Sequence, residues 1–265
     1  MNTVQPNAEK FDRGALIVNA DDWGSSRRTT DAIWECLKQR AVSSASAMVF
    51  MEDSERAAEL ARNHGIDIGL HLNLTTAFTA DRIAPKLAEQ QRRTVAYLRS
   101  SRIAQTIVNP LLCRAFDYVV KAQLDEFERL YGHHAYRIDG HHHMHLCANV
   151  LWGRLLPSGV IVRRSFSFNS GEKSIFNRYY RHLIDLALSR HHYLTDFFFS
   201  IEPLANENRL DRIVSLARSY VIEIETHPVN LEEYVFLTGS GFRDLLGSNR
   251  IADHFGPVAN RFPFQ

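Results

Sequence analysis

The first strong pattern along the chain is an apolar run, Ala15-Leu16-Ile17-Val18-Asn19-Ala20, that stops at Asp21-Asp22. A short run without apolar–polar alternation is the pattern of a strand buried on both faces. The period then changes. Ile33, Trp34 and Leu37 recur at helical spacing within 29–39, followed by a weaker strand pattern at 44–50. An Ala- and Glu-rich helix is predicted at 54–63, capped by Asp53 or Ser54. A third strand at 66–74 precedes a long amphipathic helix at 114–130, which Gly132 closes. Beyond it, strand patterns at 135–139, 159–163, 194–200 and 221–228 are interleaved with helical patterns at 176–190 and 209–219. Roughly seven strands alternating with helices predict an α/β fold with a parallel sheet and right-handed crossovers. A barrel and an open doubly wound sheet both satisfy this order. The length suits one domain over 1–265. Residues 76–110, of Arg- and Gln-rich helical character, carry the weakest pattern and are expected to form an insertion or lid.

The polar positions favour closure. Asp21-Asp22, His71, the run Asp139-Gly140-His141-His142-His143-Met144-His145, and His227 all fall at or just past the C-terminal ends of predicted strands. A barrel brings such ends to one mouth, whereas an open sheet gathers only the neighbours of its switch point. Imidazole and carboxylate are common ligands of divalent metals, so one hydrolytic metal site is the reading of these segments together. Each has a plainer alternative. Asp21-Asp22 suits a turn or helix cap, and His71 suits a core histidine bonded to a carbonyl. The histidine run could be a solvated loop, and Thr226-His227-Pro228 an ordinary strand end. His71 and Asn73 share parity and are expected to face one polar space, opposite Leu70, Leu72 and Leu74.

Composition narrows the function classes. A net charge of +1 gives no reason to expect nucleic acid as a partner. With 45% hydrophobic and 23% charged residues the chain reads as globular. Cys36, Cys113 and Cys147 are odd in number and widely spaced, which argues against a disulfide framework or a thiolate zinc site. The start of the chain lacks the apolar core of a signal peptide, and no segment is apolar enough to span a bilayer, so a cytoplasmic location is expected. A nucleophile elbow, a P-loop, an H-E-x-x-H helix and a dinucleotide fingerprint are all missing.

Four ordered blocks carry a family resemblance: Leu16 to Gly24, Val42 to Ser46, Ile68 to Thr75 and Ile138 to His145. They resemble the YdjC-like carbohydrate deacetylases, which include chitooligosaccharide and hopanoid-associated deacetylases. Thr226-His227-Pro228 looks like that family's late histidine motif. Trp23, Gly140 and Val229 depart mildly from its usual residues, and 76–110 and 231–265 do not match it. The resemblance implies an irregular TIM-like (β/α) barrel holding one divalent metal ion, Mg2+ or Zn2+. It implies Asp22, His71 and His141 as metal ligands, Asp21 as general base and His227 as general acid. The expected reaction is removal of an N-acetyl group from an amino sugar or glycoconjugate, with a homodimer as the expected assembly. Asn73, Asp139 and His143 are expected to support the ligands, while for Trp23, Phe78 and 197–199 core packing is the expectation for most and an aromatic face to sugar rings the alternative. Two rival readings stay open: a metal-dependent hydrolase of phosphoesters or non-sugar amides, and a non-catalytic sugar-binding barrel.

Overall fold

β1 (Ala15–Trp23) is the axis of the sheet, buried along almost its whole length. The computed structural model describes residues 14–101, 103–168, 173–247, 250–256 and 258. Around β1 lie β2 (Ser44–Ala47), β3 (Ile68–Leu72), β4 (Arg137–Gly140), β5 (Ile161–Val162), β6 (Phe197–Ser200) and β7 (Val221–Thr226). Among the described residues they form one parallel sheet in the order β5-β4-β3-β2-β1-β7-β6. The sheet curls into a TIM-like barrel. Its two edges are drawn together by Tyr193, which donates to Val160 O (3.1 Å) and accepts from Val162 N (2.9 Å). Ser167 N adds a bond to Phe198 O of β6 at 2.8 Å.

The helices are α1 (Arg27–Lys38), α2 (Ser54–His64), α3 (Pro85–Ser100), α4 (Cys113–Tyr131), α5 (Ala148–Gly153), α6 (Ile175–Leu188), α7 (Glu207–Leu216), α8 (Leu231–Thr238) and α9 (Ser240–Leu246). Ser26 caps α1 by accepting from Thr29 N, and the left-handed Gly132 (φ +78°) stops α4 as its position in the sequence predicts. None of the described helices is long and apolar enough to cross a membrane.

Two strand ends differ from the sequence pattern, and the faint helical character of 76–110 is met by a helix. β2 ends at Ala47 rather than 50, because Phe50 takes a left-handed φ of +60° and its carbonyl accepts from Thr79 and Ala80. β3 ends at Leu72, so Asn73 does not share a face with His71. Its side-chain oxygen instead accepts from Thr75 N and Thr76 N, and its amide donates to Thr76 O, closing a tight turn. The faintly patterned 76–110 contains α3, whose Leu87 and Leu98 join the main apolar core. The buried face of α3 reads Leu87, Gln91, Thr94, Leu98, so two of its four positions are polar and the periodicity is muted. Gln91 is satisfied there by Phe78 N and Thr76 O.

Candidate metal centre

The site begins with a break in strand geometry. Successive side chains of a strand point to opposite faces, which would separate Asp21 from Asp22. Here the register between β1 and β2 shifts between Ala20 and Trp23, and Asp22 adopts a left-handed φ of +70°. Asp tolerates that region better than most residues. Asp21 stays inside the barrel while Asp22 reaches the mouth, their side chains 2% and 16% exposed.

His71 on β3 is paired in register with Asp139 on β4, and their side chains meet: Nδ1 lies 2.7 Å from Asp139 Oδ1. Burial would raise the Asp139 pKa, but Arg163, His71 and Arg137 hold the carboxyl far below the usual range. An ionised carboxylate only accepts, so Nδ1 carries a hydrogen, and Nε2 is the nitrogen that offers a lone pair once its own proton is displaced. Nε2 faces Asp22 Oδ1 at 3.2 Å, and His141 Nδ1 approaches the same oxygen at 2.9 Å. One donor atom each from Asp22, His71 and His141 lie within 4.8 Å of one another. Despite these approaches, Asp22 Oδ1 is buried and takes part in no well-formed hydrogen bond. With the Nε2 proton gone, donors converging on one point repel unless a cation lies between them, so these residues fit a divalent ion that takes the proton's place. The electrostatics agree. Burial opposes charge on Asp22, yet the two imidazoles hold its pKa well below the ordinary value. Burial also opposes charge on His71, yet Asp21 and Asp139 raise its pKa well above the ordinary value. This locus stabilises positive charge.

Below the triad the barrel interior is filled by a buried ion network. Arg163, just past β5, grips Asp21 with both guanidinium ends, Nη1 to Oδ2 at 2.6 Å and Nη2 to Oδ1 at 2.8 Å. The same group reaches Glu223 (2.6 Å), Asp139 (3.0 Å) and Glu225 (3.3 Å). Asp21, His71 and Asp139 also converge closely enough to hold an ion, but the guanidinium already supplies the cation there. Burial acts to raise Asp21, yet Arg163 and His71 keep its pKa below the ordinary value. Burial raises Glu223 and, together with Asp21, raises Glu225 strongly. The network therefore favours a proton on a glutamate while Asp21 stays ionised. Arg137 completes it from the other side, donating to Ser46 Oγ and Ala45 O at 2.8 Å. A Cβ on Gly69 would lie 2.6 Å from Arg137 Cζ, so the glycine before His71 makes room for this side chain.

The sequence reading missed Arg163, Glu223 and Glu225. Their signal lay in β7, where Val221-Ile222-Glu223-Ile224-Glu225 alternates although the whole strand is buried. Carboxylates at every second position of a buried strand need a cation inside the barrel.

The histidine run does not continue the strand. After Gly140 the chain turns into a 3-10 segment in which His142 and His143 take φ of +54° and +59°. His142 Nδ1 meets Thr75 Oγ1 at 2.9 Å. His143 Nε2 lies 3.6 Å from Glu225 Oε2, its ring packed edge-on against Phe166. His145 is fully buried and donates from Nε2 to Arg163 O at 2.9 Å, fixing the residue that holds Asp21. His227 sits on the same rim, after Thr226, whose partner in register is Ala20. Its backbone N–H donates to Glu233 Oε2 at 2.6 Å, a bond that opposes but does not overcome the rise in that carboxyl's pKa caused by burial. Trp23 is not a sugar platform: it is wholly buried and donates to Ala57 O, because the irregular end of β1 turns it into the core. Phe198 and Phe199 are buried as well, and Phe78 packs on Phe50.

His145 also sets an acid limit on stability. Burial lowers its pKa from 6.5 to about 4. The unfolded chain therefore takes up this proton first, so the contribution is present above 6.5 and is lost as pH falls toward 4. At roughly 1.4 kcal/mol per pH unit the loss is about 3 kcal/mol. Urea midpoints should fall between pH 6.5 and 5, where unfolded carboxylates have scarcely begun to titrate. His145→Gln should flatten that fall, and an unchanged slope in the variant would exclude His145 as its source.

With this geometry established, comparison with known proteins is decisive on kinship. The family model of YdjC-like proteins matches residues 15–246. The chain belongs to the YdjC-like family. A carbohydrate deacetylase of Brevibacillus brevis is 31% identical over 231 residues, covering 86% of this YdjC-like chain and 86% of the relative. A chitooligosaccharide deacetylase of Enterobacter sp. (strain 638) is 29% identical and covers 69% of both chains. A carbohydrate deacetylase of Mus musculus is 32% identical over 53% of this chain, and that match spans only 46% of the mouse protein. Among solved structures, a protein from Enterococcus faecalis V583 titled a cellobiose-phosphate cleavage protein superposes with a TM-score of 0.66 at 20% identity. That superposition covers 91% of this chain and 96% of the other, and shows that the YdjC-like barrel is shared.

Proposed function

We propose that this YdjC-like chain is a metal-dependent N-deacetylase acting on an amino sugar or its glycoconjugate. The observation that carries the reading is the convergence of His71, His141 and Asp22 Oδ1, with ionised Asp21 directly beneath. The deacetylase names of the relatives supply the substrate class. Asp22, His71 and His141 would hold the ion, and two imidazole nitrogens among three donors suit Zn2+ better than Mg2+. When bound, the ion would polarise the amide carbonyl and acidify water.

The remaining chemistry belongs to the chain's own side chains. Asp22 and His141 are the exposed members of the triad, so substrate approaches over them while His71 stays covered. Asp21 accepts a proton from the attacking water. Its low proton affinity, set by Arg163, keeps it ionised and ready across the neutral range. Asp139 holds the His71 ring in the tautomer that leaves Nε2 free. His227, on the rim beside β1, protonates the departing amine.

The test is acetate release from a panel of N-acetylated mono- and oligosaccharides, with and without chelator and with Zn2+ or Mg2+ restored. Release that chelator abolishes and metal restores is expected. Asp21→Asn should keep the ion and lose on the order of 10²-fold or more in kcat. Phosphate release from sugar phosphates without any acetate release would overturn the reading, as would full activity in Asp21→Asn.

A further inference from the structure

The outward face of α6 reverses the usual arrangement of a surface helix. Asp185 and Leu188 are its buried residues, whereas Ile175, Phe176, Tyr179, Tyr180, Leu183 and Leu186 are 43–88% exposed. At 100° per residue these six side chains fall within one arc of about 140°, so they form one continuous apolar and aromatic stripe. A contiguous exposed stripe of this kind on a globular protein marks an interaction surface.

Charge identifies the partner. Arg178 and Arg190 are exposed beside the stripe and Lys173 precedes it, against Glu172 and Asp185, whereas Arg181 turns to the other side of the helix and lies over Phe168. Asp185 is already neutralised by Arg164, 2.7 Å away. A second copy docking through this face would set the same patch against itself, with arginine near arginine. An anionic bilayer offers both an apolar interior for Phe176 and Leu183 and negative headgroups for the flanking cations. Tyr179 and Tyr180 have the apolar ring and polar tip favoured at the membrane–water boundary.

The face also lies next to the barrel mouth. In a parallel barrel the helix after a strand starts at the mouth, and the N-terminal Ile175 and Phe176 are the most exposed members of the stripe. Ring contacts lead from the helix to the metal centre. Arg181 lies over Phe168 (5.1 Å), Phe168 beside Phe166 (6.1 Å), and Phe166 against His143 (4.5 Å).

We propose that the exposed face of α6 docks this protein on anionic membrane surfaces, with the mouth of the barrel turned toward the bilayer. The test is co-sedimentation of the full chain with phosphatidylglycerol–phosphatidylcholine vesicles and with phosphatidylcholine vesicles alone. Binding to the anionic vesicles only is expected, weakening as salt rises from about 0.1 to 0.5 M. Phe176→Ser with Tyr179→Ser should reduce the bound fraction on the order of tenfold, and Arg178→Glu should also reduce it. Circular dichroism melts identical to wild type would show that the variants remain folded. A wild-type chain that stays in the supernatant at every lipid composition overturns the proposal. So does light scattering in which the serine variant turns a wild-type dimer into a monomer, which would give the face to a second copy of the chain.

Discussion

His71→Ala is expected to abolish ion binding and to lower turnover by more than about 10³-fold. The ring is the hinge of the site. Its Nε2 is one of the three donors, and its Nδ1 is held 2.7 Å from Asp139. Removal leaves Asp22 Oδ1 and His141 Nδ1 as a two-donor fragment and takes a hydrogen-bond partner from a buried carboxylate. Metal content by elemental analysis and acetate release should fall together. Asp139→Asn separates positioning from ligation. It retains all three donors but weakens control of the His71 tautomer, so ion affinity should drop about 10- to 100-fold, with activity recovering at high metal. Binding of one ion by His71→Ala at wild-type affinity would refute the ligand set.

The pH dependence of ion binding carries the same signature. In the ion-free chain the His71 pKa stands well above 6.5, and burial, which opposes the charge, is overcome by Asp21 and Asp139. A proton on Nε2 competes with the ion. Apparent affinity should therefore rise with pH through and beyond neutrality, and a flat profile would contradict the tautomer argument.

What the sequence revealed and what it concealed divide along physical lines. β1 was legible because a strand buried on both faces leaves a long apolar run, and β3 and β7 because Ile68, Leu70 and Leu72, and Val221, Ile222 and Ile224, still mark a buried strand. Asp22, His71 and His141 were singled out as a set by the family resemblance, because the strand-end position of each also had a plainer reading. The turn at Asn73 and the left-handed Asp22, His142 and His143 were not legible, since local φ choice there follows from packing of the barrel rather than from propensity. Arg163 was hidden for a different reason. It reads as the polar end of an apolar segment, and only the arrangement of β1, β4 and β7 reveals that four carboxylates face it. α3 was muted by Gln91 and Thr94, which are buried but hydrogen-bonded to backbone.

Arg163→Met is expected to cost the largest amount of stability of any single change at this site, about 3–5 kcal/mol or roughly 10 °C in Tm. Its guanidinium is the cation that Asp21, Asp139, Glu223 and Glu225 share, with Phe198 packed against its face at 4.9 Å. Methionine fills much of the volume but leaves this cluster with Arg137, which lies 3.4 Å from Asp139, as its remaining arginine partner. Taking one partner from a buried ionic network costs more than replacing the whole network, because the stranded charges must take up protons or draw in water. Arg163→Lys tests the role of the grip itself. It keeps the charge but not the two-pronged contact with Asp21, so stability should largely return while kcat remains low. The pH–rate profile supplies a readout that misfolding alone would not move. Burial tends to raise the Asp21 pKa and Arg163 holds it down. Loosening the grip should therefore shift the acid limb of kcat/KM to higher pH. An Arg163→Lys enzyme with wild-type stability, kcat and acid limb would show that Asp21 does not depend on Arg163 for its charge or its aim.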